Sequence, residues 1–194
     1  DSSLADDRVC DFLPAADGNL FIANGKGLSI LNTKKETFTN FPRSINEEGN
    51  YPARVARHLI TVGVSLVIAT DLGLSFYDQR KNIFHRVVAK DESMPYALFS
   101  NRVALVEEAV PNVLLLISGF GNAARFDMLT GKCYSAAYPD VYDTLYHLTG
   151  INMALRDERR NTIWVEAGNG LLYEYDAATR KTIRHYFSGD CSKI

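Results

Sequence analysis

The residue types that most often carry out catalysis are scattered along this sequence. The four histidines stand far apart, at His58, His85, His147 and His185. Two pairs of neighbouring carboxylates occur, Glu47-Glu48 and Glu107-Glu108. Neighbours on a strand point to opposite faces, so neither pair can act as one acid/base pair. The sequence also lacks the common hydrolase, phosphate-binding and calcium-binding motifs. We therefore predict no catalytic residues, no cofactor and no enzymatic activity for this chain.

Metal binding and disulfide bonding receive equally little support from the cysteines. Cys10, Cys133 and Cys191 are too few and too widely spaced for a zinc site or a disulfide framework. Cys10 and Cys191 lie near the two ends and would meet only if the fold closes on itself, so their pairing stays open. We predict no metal site.

A third group of residues suits recognition rather than catalysis. Aromatic side chains and one histidine lie in three segments that separate successive copies of an internal repeat described below. These segments are residues 42–53, 89–101 and 139–151. These candidate ligand-binding residues are Tyr51, Tyr96, Phe99, Tyr142, Tyr146 and His147. Aromatic faces stack on sugar rings and also anchor protein interfaces. The alternative is that the rings fold inward and only hold the segments in place.

The elements that position these segments follow from an internal repeat. A glycine recurs as Gly27, Gly73, Gly121 and Gly170, at spacings of 46, 48 and 49 residues. A large apolar residue stands six positions before each glycine, and Asn or Asp follows it by five or six. Four-stranded units that repeat every 40–50 residues are typical of β-propeller blades.

Each repeat contains four short segments that alternate apolar and polar residues, which is the pattern of half-buried strands. The sequence therefore predicts an all-β protein of about four four-stranded antiparallel β-propeller blades. We expect the blades near residues 8–41, 54–88, 102–138 and 152–187, within a single propeller region spanning 1–194. We expect the four blades to form part of a larger, seven- or eight-bladed propeller; the alternatives are that they close alone or complete a ring with another copy.

Composition excludes several classes of partner. The net charge of -2 argues against binding nucleic acid, which usually requires a clustered positive field. No run of eighteen apolar residues exists, so no segment of the chain is expected to span a membrane. The chain begins without Met or a signal-like apolar segment, and we expect it to be a fragment of a longer protein.

The repeat resembles the two-component regulator propeller repeat. Three copies carry the likeness, as DGNLFIANGKGLSILN (17–32), SLVIATDLGLSFYD (65–78) and NTIWVEAGNGLLYEYD (161–176). The third repeat in chain order, NVLLLISGFGNAARFD (112–127), departs from the pattern because asparagine and alanine replace its Gly-Leu pair. The resemblance covers nearly the whole chain, from Arg8 to about Tyr186.

This resemblance implies a function as well as a fold. The family is similar to the periplasmic sensor portion of hybrid two-component histidine kinases, so the chain is expected to be a non-catalytic, ligand-sensing region. The implied ligand is a glycan-derived oligosaccharide. A second copy of the chain is a further expected partner, in a homodimer formed through the propeller. The membrane would be reached only through other parts of the protein. The alternatives are a protein-interaction scaffold and, less favoured, a propeller enzyme acting on polysaccharide.

Overall fold

The computed structural model describes residues 3–42, 55–87, 102–168 and 170–186. The first sheet contains β1 (Val9–Pro14), β2 (Leu20–Asn24), β3 (Gly27–Asn32) and β4 (Thr37–Pro42). The second contains β5 (Ala56–Val62), β6 (Ser65–Thr70), β7 (Gly73–Asp78) and β8 (Ile83–Val87). The third contains β9 (Val103–Val110), β10 (Val113–Ser118), β11 (Ala123–Asp127) and β12 (Lys132–Ser135). The fourth contains β13 (Ile151–Asp157), β14 (Thr162–Ala167), β15 (Leu171–Asp176) and β16 (Lys181–Tyr186).

Each sheet is an antiparallel meander in which every strand lies beside the next one along the chain. A short 3-10 helix, Thr144–His147, is the one helical element in the described part of the chain. It is far too short to cross a membrane, and no other described segment offers a suitable helix. Four four-stranded antiparallel sheets in this order confirm the predicted all-β fold with propeller-like blades.

The repeated turn chemistry explains why the third and fourth strands of a sheet pair so regularly. Oδ1 of Asp78 accepts hydrogen bonds from the amides of Arg80 (2.9 Å) and Lys81 (3.1 Å). Asp127 and Asp176 bind the amides two and three residues ahead in the same way. These bonds, led by the Lys81 amide, hold the pKa of Asp78 below its usual value. An Asp side chain that bonds the backbone two residues ahead is a standard turn former.

By their internal contacts the sheets fall into two compact units, with the boundary between Val106 and Glu107 in β9. In the first unit, the first two sheets pack through a shared apolar core. Tyr77 and Phe84 stack at 4.6 Å between ring centroids, and Phe41 meets the edge of Phe84 at 5.1 Å. Phe84 is 7% exposed and packs between the two sheets.

The second unit contains the rest of the third sheet and the fourth sheet. Its fully buried apolar side chains include Leu114, Leu116, Ile163 and Val165. Cys133, which stands at the position of Phe84 in the second sheet, is 2% exposed. It therefore packs in the core of the second unit. The second unit also contains the described candidate residues for ligand binding.

Candidate functional site

The segment between β12 and β13, residues 136–150, is the one aromatic segment that lies within the described residues. We call it the connecting segment. Three of the six candidate residues, Tyr51, Tyr96 and Phe99, lie outside the described part of the chain. The following geometry therefore concerns Tyr142, Tyr146 and His147.

The connecting segment ends against the β10–β11 turn. The amide of Ile151 donates to the carbonyl of Gly121 (3.0 Å), and a Cβ on Gly121 would lie 2.5 Å from that same amide nitrogen. Gly121 also has a φ of 77°, which side chains rarely adopt. Position 121 thus requires glycine for two independent reasons.

The middle of the connecting segment lies at the opposite end of the sheets. The amide of Thr144 donates to the carbonyl of Arg180 (3.2 Å) in the β15–β16 turn. The strand order of a blade predicts that these aromatic residues share one face with the turns between second and third strands. The 3-10 helix of the segment instead contacts β11 and β16 and lies beside the β15–β16 turn, where a buried polar cluster holds it.

That buried cluster consists of Arg125, Asp143 and Tyr175. Nε of Arg125 donates to Oδ2 of Asp143 (2.8 Å), and a terminal nitrogen of Arg125 donates to the hydroxyl of Tyr175 (2.8 Å). The Tyr175 hydroxyl donates in turn to Oδ2 of Asp143 (2.8 Å). Arg125 also donates to the carbonyl of Ala177 (2.7 Å). Each polar group of the cluster therefore has a partner, as buried polar groups require.

Charge and burial act together in this cluster. Burial opposes the charge on Arg125, but its hydrogen bonds to Tyr175 and Asp143 and the negative charge of Asp143 outweigh it, and the pKa of Arg125 is raised. The pKa of Tyr175 is raised, first by burial and then by Asp143. Arg125 thus stays charged and Tyr175 stays neutral at physiological pH. The cluster therefore holds the connecting segment to the third and fourth sheets.

Two further contacts hold the connecting segment. Arg180 binds both carboxylate oxygens of Asp140, at 2.6 and 2.7 Å. Partial burial opposes the charge on Asp140, but the Arg180 bond prevails and lowers the pKa of Asp140. Oδ1 of Asp143 accepts from the amide of Leu145 (3.0 Å) and caps the 3-10 helix. The segment is therefore fixed at Asp140, Asp143 and Thr144.

Tyr146 differs from the other two candidate residues because it is buried, with 8% of its surface exposed. Its hydroxyl has no hydrogen-bond partner among the described residues. Burial, followed by the charges of Asp143 and Asp140, raises the pKa of Tyr146. Its ring therefore packs the connecting segment onto the sheets. This corresponds to the alternative in which the aromatic rings fold inward and hold the segments in place.

Tyr142 and His147 form the exposed part of the segment. Tyr142 is 68% exposed, and its ring lies 5.3 Å from the ring of His147 with an angle of 30° between their planes. His147 is also exposed. We call these two side chains the Tyr142–His147 surface. Contacts at Asp140, Asp143 and Thr144 hold the backbone beneath the two rings.

The described residues show no group of three His, Cys, Asp or Glu side chains that could hold a metal ion. In the first unit, Nε2 of His58 lies 3.9 Å from Oδ2 of Asp11. Cys10 is an exposed, free thiol. These groups do not converge on one site within the described ranges.

Sequence reasoning missed Arg125, although a signal for it existed. Arg125 stands two residues before the Asp that ends its strand, at the position of Ile30 and Phe76 in the first two repeats. A charge at a position that is apolar in the first two repeats indicates either exposure or a buried partner. The partners Asp143 and Tyr175 lie 18 and 50 residues away, so the sequence alone could not choose between them.

Neither the protein-family models nor the curated proteins contain a match to this sequence. Solved structures do match it. The extracellular domain of the proposed hybrid two-component system BT3049 from B. thetaiotaomicron has a TM-score of 0.74 and 16% identity, over 93% of this chain and 24% of that one. The extracellular domain of the proposed one-component system BT4673 from the same organism has a TM-score of 0.68 and 17% identity, over 93% of this chain and 23% of that one. The chain thus shares their fold and spans about a quarter of their length.

Proposed function

We propose that this chain is a region of the extracytoplasmic, ligand-sensing part of a hybrid two-component sensor histidine kinase, and that it catalyses no reaction itself. The observation that carries this proposal is the shared fold over 93% of the chain with the extracellular domain of a proposed hybrid two-component system. The repeat resemblance supports the same role and a periplasmic location. The kinase and the membrane anchor would belong to other parts of the same protein.

The proposed ligand is a glycan-derived oligosaccharide that stacks on the Tyr142–His147 surface. Two exposed rings on a fixed backbone offer apolar contact at little cost in side-chain entropy. Asp140 stands two residues before Tyr142 and pairs with Arg180 of the β15–β16 turn, and this pair offers donors and acceptors for sugar hydroxyls. Pre-organisation of this kind favours binding because little freedom is lost when the ligand arrives.

Signalling would follow from differential binding. A ligand shifts a conformational equilibrium only by as much as it binds one state more tightly than the other. The connecting segment touches both the third and the fourth sheets of the second unit, through Arg125 and Arg180. A sugar bound to this segment would therefore favour the arrangement in which these contacts are formed.

Binding is tested by titrating defined oligosaccharides into the purified chain while intrinsic tyrosine and tryptophan fluorescence is recorded. Tyr142→Ala and His147→Ala are expected to weaken binding by about ten-fold or more, which is about 1.4 kcal/mol. Tyr138→Ala is the matched control, because Tyr138 is a 47% exposed tyrosine of the same segment that lies outside the Tyr142–His147 surface. Equal affinity in Tyr142→Ala and the unaltered chain would reject this surface.

The sensor role is tested separately from the ligand. The complete gene is expected to encode a membrane helix and a histidine kinase, and the purified chain is expected to leave every offered glycan uncleaved. A gene without a kinase would favour the scaffold alternative, and measurable cleavage would favour the enzyme alternative.

A further inference from the structure

Three arginines of the first unit lie where the first strands of three sheets begin. Arg8 stands directly before β1 and Arg102 directly before β9, and both are exposed. Arg57 is the second residue of β5 and is partly buried. All three belong to the first unit, because that unit includes the start of β9 as far as Val106. We call these three side chains the arginine group.

Two of the first strands, β1 and β5, lie side by side in this unit. Oδ2 of Asp11 in β1 accepts a hydrogen bond from the amide of Leu59 in β5 (2.8 Å). The pairing of β1 with β2 shifts register at Cys10, and the pairing of β5 with β6 shifts register at Arg57. Such a bulge leaves one residue outside the ladder and redirects its side chain. Cys10 and Arg57 therefore hold equivalent positions in neighbouring strands.

The arginine group lies at one end of these sheets. The amide of Gly25 in the β2–β3 turn donates to the carbonyl of Arg8 (3.0 Å). In the second sheet, Oδ1 of Asp71 in the β6–β7 turn accepts from the amide of Val55 (3.1 Å), directly before β5. Since the strands are antiparallel, the β7–β8 turn with Arg80 lies at the other end of the second sheet.

Arg57 has an unmet need for an acceptor. Its Nε is buried and has no hydrogen-bond partner among the described residues, which is costly for a donor. Burial, followed by the positive charge of Arg102 and, more weakly, of Arg8, lowers the pKa of Arg57, while Cys10 and Asp71 oppose the shift. A negative group beside Arg57 would supply the missing acceptor and offset the repulsion between the guanidinium groups.

We propose that the arginine group binds a tetrahedral oxyanion, a sulfate or phosphate group, with Arg57 as the central donor. A guanidinium presents several N–H donors in a fixed plane that matches the geometry of oxyanions. A tetrahedral oxyanion has acceptors in four directions, so it can meet donors that arrive from three separate segments of the chain. This site lies in the first unit and the Tyr142–His147 surface in the second, so the proposal does not rest on the proposed oligosaccharide.

The test is calorimetric titration of sodium sulfate into the purified chain, with the ionic strength held constant by sodium chloride. We expect saturable binding that Arg57→Gln and Arg102→Gln each weaken about ten-fold or more, because a charge-assisted hydrogen bond is lost. Arg80→Gln is the matched control and is expected to keep the affinity. Since Arg102 is exposed, Arg102→Gln tests the site even if Arg57→Gln does not fold. Absence of saturable binding, or equal affinities in Arg102→Gln and Arg80→Gln, would overturn the proposal.

A second variant is expected to strengthen binding. Asp71→Asn removes a negative charge that acts on Arg57, while the amide oxygen of Asn can still accept from Val55. Sulfate affinity is expected to rise about two- to five-fold, the range of an exposed charge pair. An affinity that does not rise would contradict the proposed arrangement of charges and reject the site.

Cys10 reports where the anion binds. In a Cys191→Ser background, sulfate is expected to slow alkylation of Cys10 by anionic iodoacetate about two-fold or more, and to slow neutral iodoacetamide less. Arg57→Gln should remove this difference. Equal effects of sulfate on both reagents, or a difference that persists in Arg57→Gln, would place the anion elsewhere and overturn the proposal.

The source of the anion is distinguished by comparing inorganic sulfate and phosphate with glucose 6-sulfate and glucose 6-phosphate, with glucose as the control. Tighter binding of a sugar ester than of its inorganic ion would assign the site to an anionic group carried on a sugar. Equal binding would assign it to the free ion, and both results keep the site. Tyr142→Ala is expected to leave sulfate binding unchanged, so loss of oligosaccharide binding and loss of sulfate binding are separate failures.

Discussion

Arg125 and Asp143 form an ion pair whose side chains are 2% and 0% exposed, with Nε and Oδ2 2.8 Å apart. The arginine comes from a strand and the aspartate from the connecting segment 18 residues later. Because desolvating two charges is costly, such a pair is maintained only with good geometry and additional hydrogen bonds. Tyr175 and the Ala177 carbonyl supply those bonds.

Arg125→Met is therefore expected to destabilise the second unit strongly. Removing one partner of a buried pair leaves the other charge unpaired and typically costs about 3–5 kcal/mol. Tyr175→Phe, which removes one hydroxyl, is expected to cost less, about 1.5–3 kcal/mol. Urea unfolding followed by circular dichroism measures both, and Arg80→Met at an exposed turn is the control. Equal midpoints for Arg125→Met and Arg80→Met would contradict the assigned role.

Two glycine substitutions separate backbone strain from steric clash. Gly121 and Gly131 both have left-handed φ angles, 77° and 69°, but an added Cβ would meet backbone atoms within 2.7 Å only at Gly121. Gly131→Ala is expected to cost about 1 kcal/mol from φ alone. Gly121→Ala is expected to cost more, because the β10–β11 turn must move away from Ile151. Thermal unfolding measures both variants. Equal losses in melting temperature for Gly131→Ala and Gly121→Ala would contradict this expectation.

His58 is expected to make stability depend on pH. Burial lowers the pKa of His58, while Asp11 and the Val106 backbone oppose that shift without reversing it. In the unfolded chain the His58 imidazole takes up a proton near pH 6.5. In the folded chain it does so only at a lower pH. The contribution of neutral His58 to the free energy of unfolding is thus fully present above about pH 6.5. It is lost as the pH falls through the lower pKa of His58 in the folded chain.

Melting temperatures between about pH 5 and pH 8 measure this effect before most carboxylates titrate. His58→Gln is expected to flatten the profile, and His85→Gln, at an exposed position on β8, is expected to keep it. A His58→Gln profile as steep as that of the unaltered chain would show that other groups are responsible.

The cysteines are expected to react at very different rates. Cys10 is exposed and free, whereas Cys133 is 2% exposed. In a Cys191→Ser background, a thiol reagent is expected to modify Cys10 rapidly and Cys133 only after urea is added. Adding Cys10→Ser should remove the rapid phase, and a rapid phase that persists would mean that Cys133 is accessible.

The strands were predictable because their signals are local. The turn Asp residues sit beside the amides they bind, and the alternating pattern indicates which side chains face the core, as Phe84 illustrates. The candidate site was less predictable. Tyr142 and Tyr146 look alike in sequence, but one is exposed and the other buried, because their environment depends on Arg125 and Arg180 from distant strands.

The Arg125–Asp143–Tyr175 cluster has a consequence for the evolution of this repeat protein. The turn between the third and fourth strands of a sheet is self-contained, so duplication of a whole repeat leaves it intact. The cluster is not self-contained, because its members come from two successive repeats and the segment that joins them. An exchange that put another repeat after the third would leave a buried guanidinium without its partners. The cluster therefore requires that these two repeats follow each other in the chain. Recombination that separates them would be destabilising.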